Sequence, residues 1–460
     1  MHSNKDPIVA VSTAAGRGGI GIVRLSCEGK LAPLFLVKLF GGTDIKPRYA
    51  HLLPFKDDRG ELLDTCIVLY FQAPASYTGE AVIEIQAHGG PVLMQMILRA
   101  CLKKCRDLGL RLAEAGEFTK RAFLNGRMDL AQAEAVSDLI DAVSESAAHA
   151  ATRSLTGQFS LCIQHLGGQL NELRAYVEAI LDFPEEEIDH LAEGRIFERI
   201  AECIRELEDL FSKAQQGKVL KDGVSVALVG SPNVGKSSLL NALAGDDVAI
   251  VTEIAGTTRD RIEHWVTIEG VPIKMIDTAG VRETNDVVEA KGIERTMQAL
   301  TEADVVLHLI DASGDIFDDG KVLETVRSVV KATVPVITVA NKIDKLSSVS
   351  TTQFEENANK YFISVRTGQG LEALKKALLA VVNMQNSTDG LFMARERHLA
   401  CLGEARAHLV AAADMRSEFC MIELLAEELR LAGKALGEIL GETTADDILG
   451  MIFSKFCIGK

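Results

Sequence analysis

The stretch that most limits what this chain can become runs from Val224 to Ser238. An apolar segment, Val224–Val229, is followed by Gly230-x4-Gly235-Lys236-Ser237. Strand, glycine-bearing loop and helix in that order form a phosphate cradle. The glycines let the loop bend until several backbone N–H groups converge on one phosphate chain, and the helix that follows adds its positive N-terminal end. Lys236 is spaced to reach the β and γ phosphates, and the Ser237 hydroxyl to bind Mg²⁺. The segment calls for a βαβ sheet and a nucleotide.

Downstream, apolar strand-like runs at 261–268, 271–276, 304–310, 335–340 and 361–364 alternate with helical stretches to about residue 381. That pattern predicts a mostly parallel sheet with one hairpin at Glu269-Gly270. Four polar elements fall at strand ends. Thr257-Thr258 can complete Mg²⁺ coordination and sense the γ phosphate, and Asp277-Thr278-Ala279-Gly280 supplies a carboxylate for Mg²⁺ through water and the Gly280 N–H for the γ phosphate. Asn341-Lys342-Ile343-Asp344 offers the Asp344 carboxylate, which accepts two N–H bonds that guanine has and adenine lacks. Ser364-Val365-Arg366 closes the base pocket, so the predicted ligand is GTP. Val281 follows Gly280 where small regulatory GTPases carry a water-orienting glutamine, so another group must align the water.

Before this region, residues 1 to about 120 read as mixed α/β, with strands at 8–12, 19–25, 66–71 and 81–86 and a helix at 92–105 opened by Pro91. Asp129 and Gln132 make a capping box for a helix with Val136, Leu139, Ile140 and Val143 on one face. Ile163, Leu166, Leu170, Leu173, Val177 and Ile180 then recur at three and four, a seam that must pack on other helices. A further helix is expected from about 193 to 216, and helices again from 395 onward. The expected domains are 1–122, a helical part 123–218, an inserted G domain 219–382 and a second helical part 383–460.

Composition narrows the class. The formal net charge of −16 argues against a chain-wide nucleic-acid-binding surface, although 99–127 holds eight Lys/Arg against three Asp/Glu. Nine cysteines without CxxC pairing point to reduced thiols and a cytoplasmic protein. No apolar run is long enough to span a membrane. His88 reads as a turn histidine, Trp265 as a strand residue, and Leu424, Leu425, Leu429 and Leu431 as bundle core. The cysteines other than Cys457 read as core or helix-face thiols.

The segments 233–243, 254–260 and 277–283 resemble the TrmE-Era-Septin-like GTPases. Outside them, Gly116-Glu-Phe-Thr-Lys-Arg-Ala-Phe-Leu-Asn-Gly-Arg-Met-Asp-Leu130 and Phe456-Cys-Ile-Gly-Lys460 resemble the MnmE (TrmE) family, and the likeness covers essentially the whole chain. It implies a multidomain α/β plus α fold: an N-terminal α+β tetrahydrofolate-binding-like domain, a helical bundle domain and an inserted P-loop, Ras-like G domain. It also implies a homodimer working with MnmG, a partner that uses FAD and NADH, in a heterotetramer. The implied reaction adds a (carboxymethyl)aminomethyl group to carbon 5 of the wobble uridine of certain tRNAs, with folate supplying one carbon. Ribosome assembly is the competing role for such a G domain, but it usually comes with a basic RNA-binding domain that this acidic chain lacks.

By resemblance, GTP is bound by Asn233, Val234, Gly235, Lys236, Ser237 and Ser238. The first switch adds Thr252, Glu253, Ile254, Ala255, Gly256, Thr257 and Thr258, and the second Asp277, Thr278, Ala279 and Gly280; Asn341, Lys342, Asp344, Ser364, Val365 and Arg366 hold the base. Mg²⁺ falls to Ser237 and Thr258, and K⁺ to Asn233, Thr252, Ile254 and Thr257, a cation between two G domains taking the place of an arginine finger. Glu289 matches the water-orienting glutamate. Arg24, Glu84, Arg127 and Lys460 match folate-binding positions; Arg127 stands where lysine is common, keeping the charge with a different fork. Cys457 matches a cysteine the family needs.

Overall fold

The computed structural model describes residues 5–182, 190–244, 263–277, 297, 300–313, 317–346, 360–381, 390–415, 422–442, 446–454 and 456–459. The chain divides into two compact units, residues 1–137 with 434–460, and residues 138–433.

The first unit is built on a six-stranded sheet: β1 (Ile8–Val11), β2 (Gly21–Cys27), β3 (His51–Lys56), β4 (Leu62–Phe71), β5 (Ala81–Ala87) and β6 (Arg111–Leu112), in the order β3-β4-β5-β2-β1-β6. All pairings are antiparallel except β1 with β6. Alternate residues of β2 and β5, among them Val23, Leu25, Ile83 and Ile85, face helices Ala32–Phe40 and Pro91–Lys104 and bury Phe35, Leu39 and Ile97 with them. Pro91 opens its helix at the first turn. The other side of β1 is also covered, by Ala113 and Phe118 against Ile8 and Ala10. The sequence reading did not identify β3: it carries Pro54 and lies at the sheet edge, where a strand tolerates proline. Helices Ala32–Phe40 and Glu117–Leu124 were likewise not expected. Of the basic residues in 99–127, Lys103, Arg111 and Arg121 are ion-paired within the unit.

The capping box is present, with Gln132 N–H donating to Asp129 Oδ1 at 2.8 Å and Asp129 N–H to Gln132 Oε1 at 3.0 Å. The helix it opens, Leu130–Ile140, departs from the expected face: Ile140 is 45% exposed, Val143 lies beyond the helix, and Leu130, Ala131, Ala133 and Ala135 are buried instead. Small residues let neighbouring backbone approach closely, and periodicity counted on large side chains misses them.

In the second unit the helices Gln158–Asp182 and His190–Asp222 pack together, burying Ile163, Leu166, Leu170, Leu173 and Val177 as the spacing predicts. The His190–Asp222 helix also packs along the Glu396–Asp414 helix. It then passes through Gly223 alone into β7 (Val224–Val229). With β8 (Glu263–Ile268), β9 (Val271–Asp277), β10 (Val305–Asp311), β11 (Val336–Asn341) and β12 (Lys360–Phe362), β7 forms a sheet in the order β12-β11-β10-β7-β9-β8. Only β8 runs antiparallel. Both faces are covered, as a parallel sheet requires. Val226 and Leu228 point to the side of helices Lys236–Ala244 and Leu371–Val381, while Ala227 and Val229 point to Leu300, Ala303 and Val326.

One wall of that core was not foreseen. Helix Glu145–Leu155, which precedes the sheet by some distance in sequence, contributes Ala147, Ala150 and Ala151 to the same cluster as Val226, Val271 and Ile273. Its N-cap, Ser144, accepts the Ala147 N–H at 3.1 Å and donates its hydroxyl to the Gly270 carbonyl at 2.9 Å. Gly270 sits in the β8–β9 turn at φ 84°, and a side chain there would overlap Ser146 Oγ. Further on, Leu425 and Leu429 are core as expected, whereas Leu424 is half-exposed. No helix among the described residues is long and apolar enough to cross a membrane.

Candidate functional site

The carboxyl ends of β7, β9, β10, β11 and β12 share one edge of the second sheet, where ligands of open α/β sheets bind. The 230–235 loop leaves β7 there and delivers Lys236 to the first turn of its helix, with Ser237 and Ser238 exposed beside it. Lys236 Nζ donates to the Gly230 carbonyl at 2.7 Å and the Ser231 carbonyl at 3.3 Å, so it folds back along the loop. Asn233 takes φ 64° and Gly235 φ 101°, and a Cβ on Gly235 would come within 2.5 Å of Asn341 Nδ2. Only glycine can follow that path.

The base-side residues meet this loop directly. Asn341, buried at the end of β11, donates Nδ2 to the Val234 carbonyl at 2.9 Å and accepts the Val365 N–H through Oδ1 at 3.2 Å. It therefore fastens three loops at once. Lys342, at φ 68°, donates Nζ to the Asn233 carbonyl at 2.7 Å and to Asp311 Oδ2 at 2.6 Å. Asp344 is exposed, and the fully buried Ser364 donates to its Oδ1 at 2.7 Å, which steadies the carboxylate while leaving acceptor capacity for a base. Val365 and the exposed Arg366 form the turn beside it.

Sequence reasoning missed Asp311, the last residue of β10. Partial burial opposes its charge, but hydrogen bonds from Lys342 Nζ and from the hydroxyl and N–H of Ser313 outweigh that and hold the carboxyl at about 2. A lone aspartate at a strand end carries no motif; only its contact with Lys342 marks it.

Asp277 ends β9, opposite Leu228 in register, which brings the chain to the same edge. Thr252, Glu253, Ile254, Ala255, Gly256, Thr257, Thr258, Thr278, Ala279, Gly280, Glu289 and Lys460 lie outside the described residues.

A second cluster lies in the first unit. Arg24 on β2 and Glu84 on β5 are cross-strand partners, with Arg24 Nε donating to Glu84 Oε1 at 2.9 Å. The Arg24 guanidinium lies 5.6 Å from the Tyr77 ring centre and 5.8 Å from that of Phe118, a cation between two aromatic rings. Arg127 is exposed, and its stem passes over Gly79, so both arginines border the 77–80 stretch. Beside them run bonds missed in the sequence: Arg121 donates to Glu80 and Glu117, Arg111 donates to Glu117 through two nitrogens, and Ser26 donates to Glu80. The 456–459 stretch is tied to the same unit, with Gly116 N–H donating to the Cys457 carbonyl at 3.3 Å and Ser12 Oγ to the Gly459 carbonyl at 3.0 Å; the Cys457 side chain is exposed. His88 follows directly on β5, and its Nδ1 pairs with Asp64 at 3.0 Å.

Comparison with known sequences covers both parts of the chain. Residues 7–127 match the family described as GTP-binding protein TrmE N-terminus, and residues 130–457 the family described as MnmE helical domain. A tRNA modification GTPase MnmE of Burkholderia lata is 49% identical over 466 residues, covering 100% of both chains. The protein of that name from Bordetella avium is 51% identical over 457 residues, covering 99% of each. Among solved structures, an Era variant from Aquifex aeolicus bound to GDP and aluminium fluoride is 33% identical over 40% of this chain and 65% of its own, with a TM-score of 0.28.

Proposed function

This chain belongs to the MnmE family of tRNA modification GTPases, and from that premise we propose that it hydrolyses GTP to drive modification of the wobble uridine in certain tRNAs, with folate as one-carbon source and MnmG as partner. The observation that carries the nucleotide half is the Asp344 carboxylate, steadied by Ser364 in a loop that Asn341 fastens to the phosphate loop. Its remaining acceptor capacity suits guanine, whose edge offers two N–H donors side by side.

The residues fit GTP with Mg²⁺. The glycine loop admits no side chain at 235, the helix N-terminus follows it, and Ser237 presents its hydroxyl at the first turn. Mg²⁺ when bound neutralises charge on the β and γ oxygens; Ser237 and Thr258 are the residues we assign to hold it. Lys236 is released from its loop carbonyls to the phosphates, at the cost of one short hydrogen bond to Gly230 and one long one to Ser231. Asn233, exposed in the left-handed region, is the described member of the K⁺ set with Thr252, Ile254 and Thr257. Glu289 is proposed to align water in place of the missing glutamine.

In the first unit, the Arg24–Glu84 pair between Tyr77 and Phe118 supports a folate reading: a carboxylate suits a pterin N–H edge, and Arg24, Arg127 and Lys460 suit an anionic tail. Homodimerisation is supported by Leu52 and Ile67, cross-strand neighbours that are 70% and 41% exposed beside the edge strand β3. A cytoplasmic setting fits the five buried free thiols among the described residues, of which Cys27 and Cys66 are pushed by burial up to about 12.

The test is GTP turnover in KCl against NaCl at equal ionic strength, over a range of protein concentration, for the natural protein and Glu289→Ala. Stimulation by K⁺ that steepens with concentration is expected, and slow turnover with undiminished GTP affinity for the variant. Equal rates in both salts would remove the cation-bridged mechanism.

A further inference from the structure

Two successive carbonyls of the phosphate loop point at the base-reading loop. Lys342 Nζ takes the Asn233 carbonyl at 2.7 Å, and Asn341 Nδ2 takes the Val234 carbonyl at 2.9 Å. Across a trans peptide the C=O and the next N–H point in opposite directions. Holding these two carbonyls therefore turns the Val234 and Gly235 N–H groups away from Asn341 and Lys342. The arrangement also keeps Asn233 at φ 64°, a conformation that costs a non-glycine residue about 1 kcal/mol when nothing sustains it.

Asn341 is fixed by burial and by its contact with Val365. Lys342 is different. Its ammonium sits on a four-carbon stem with about 2 kcal/mol of rotamer freedom, and one carbonyl is a weak anchor for it. The second anchor is Asp311, at 2.6 Å, itself held by Ser313 Oγ at 2.7 Å and the Ser313 N–H at 3.0 Å. The Asp311 and Lys342 side chains are about three-quarters buried, at 25% and 24% exposed, so the pair is shielded from much of the solvent screening that makes surface pairs weak.

We propose that Asp311 is a positioning residue of the nucleotide site: it locks Lys342 across the Asn233 carbonyl and so couples the base-reading loop to the phosphate-binding loop. The inference rests on the GTP reading above. It assigns Asp311 no contact with nucleotide; its effect passes wholly through Lys342. Removing Asp311 frees the Lys342 ammonium, lets the Asn233 carbonyl rotate, and disperses the N–H groups that the phosphates need.

GDP affinity of the full chain, measured by calorimetry, tests this with Asp311→Ala, Asp311→Asn, Lys342→Ala and the double alanine variant. Asp311→Ala should weaken GDP about tenfold, and Asp311→Asn, which keeps an acceptor for Lys342, should recover most of the loss. The double variant should bind no more weakly than Lys342→Ala alone, because the two residues act in series. Emission from Trp265, the one tryptophan, should stay as in the natural protein, separating misplacement of Lys342 from loss of fold. Natural affinity in Asp311→Ala, or losses that add in the double variant, would overturn the assignment. A natural protein that does not bind GDP would instead overturn the GTP reading itself.

Discussion

Replacing Ser144 by alanine should loosen the sheet of the second unit, although Ser144 lies 126 residues from its partner there. The hydroxyl has two tasks. It accepts the Ala147 N–H as an N-cap, worth about 1 kcal/mol, and it donates to the Gly270 carbonyl, worth about another 1 kcal/mol. The expected loss is therefore about 2 kcal/mol. Trp265 lies in β8, a few residues before that turn, and is the only tryptophan of the chain, so its fluorescence reports this region alone. With a urea dependence of about 2 kcal/mol per molar, the midpoint of its transition should fall by about 1 M. Ser144→Thr, which can cap and donate, should fall by much less. Gly270→Ala supplies the complementary perturbation, forcing a side chain into φ 84° for about 1–2 kcal/mol and into Ser146 Oγ besides. Adding Ser146→Ala should return the steric part of that loss. A midpoint for Ser144→Ala within about 0.2 M of the natural protein would refute the reasoning, since hairpin and helix would then be energetically independent.

Asp344→Asn should move base preference from guanine toward xanthine, read by competition of XTP against GTP; unchanged preference would show that Asp344 does not read the base. In the first unit, burial opposes the Glu117 carboxylate, but bonds from Arg111, the Glu114 N–H and Arg121 hold it at about 2. Because its folded value lies below the unfolded one of 4.5, the stabilisation is complete above that pH and lost as pH falls through about 2. It amounts to about 3 kcal/mol by linkage, so Glu117→Gln should flatten the acid dependence of stability, followed by circular dichroism; an identical slope would refute it. Arg24→Ala should lower tetrahydrofolate affinity at least tenfold, and retention of binding would place the folate site elsewhere.

What the sequence made legible was local. The strand Val224–Val229 matches to the residue, the Asp129–Gln132 cap makes both of its bonds, and five of the six seam residues from Ile163 to Ile180 are buried, Ile180 only partly. Spacing along one segment encodes these. Asp311 and Ser144 were invisible because their meaning lies in a partner distant in the chain, Lys342 in one case and Gly270 in the other. The alanine faces of Leu130–Ile140 and Glu145–Leu155 were passed over for a related reason: close approach selects small side chains, and a pattern read from large ones looks elsewhere.

Gly217, on the long helix that enters the sheet, lies so close to the Phe392 carbonyl on the returning chain that no side chain would fit between them, and Lys218 pairs with Glu396 one step away. Departure and return thus occur side by side. A nucleotide-binding module whose two ends already meet can be spliced into a host without prising its helices apart. Even as an unstructured loop, each doubling of the insert's length would cost the host only about 0.6 kcal/mol in closure entropy; folded, the insert closes its own ends. The alanine wall of Glu145–Leu155 then does what the splice alone would not: it gives host and guest one shared core.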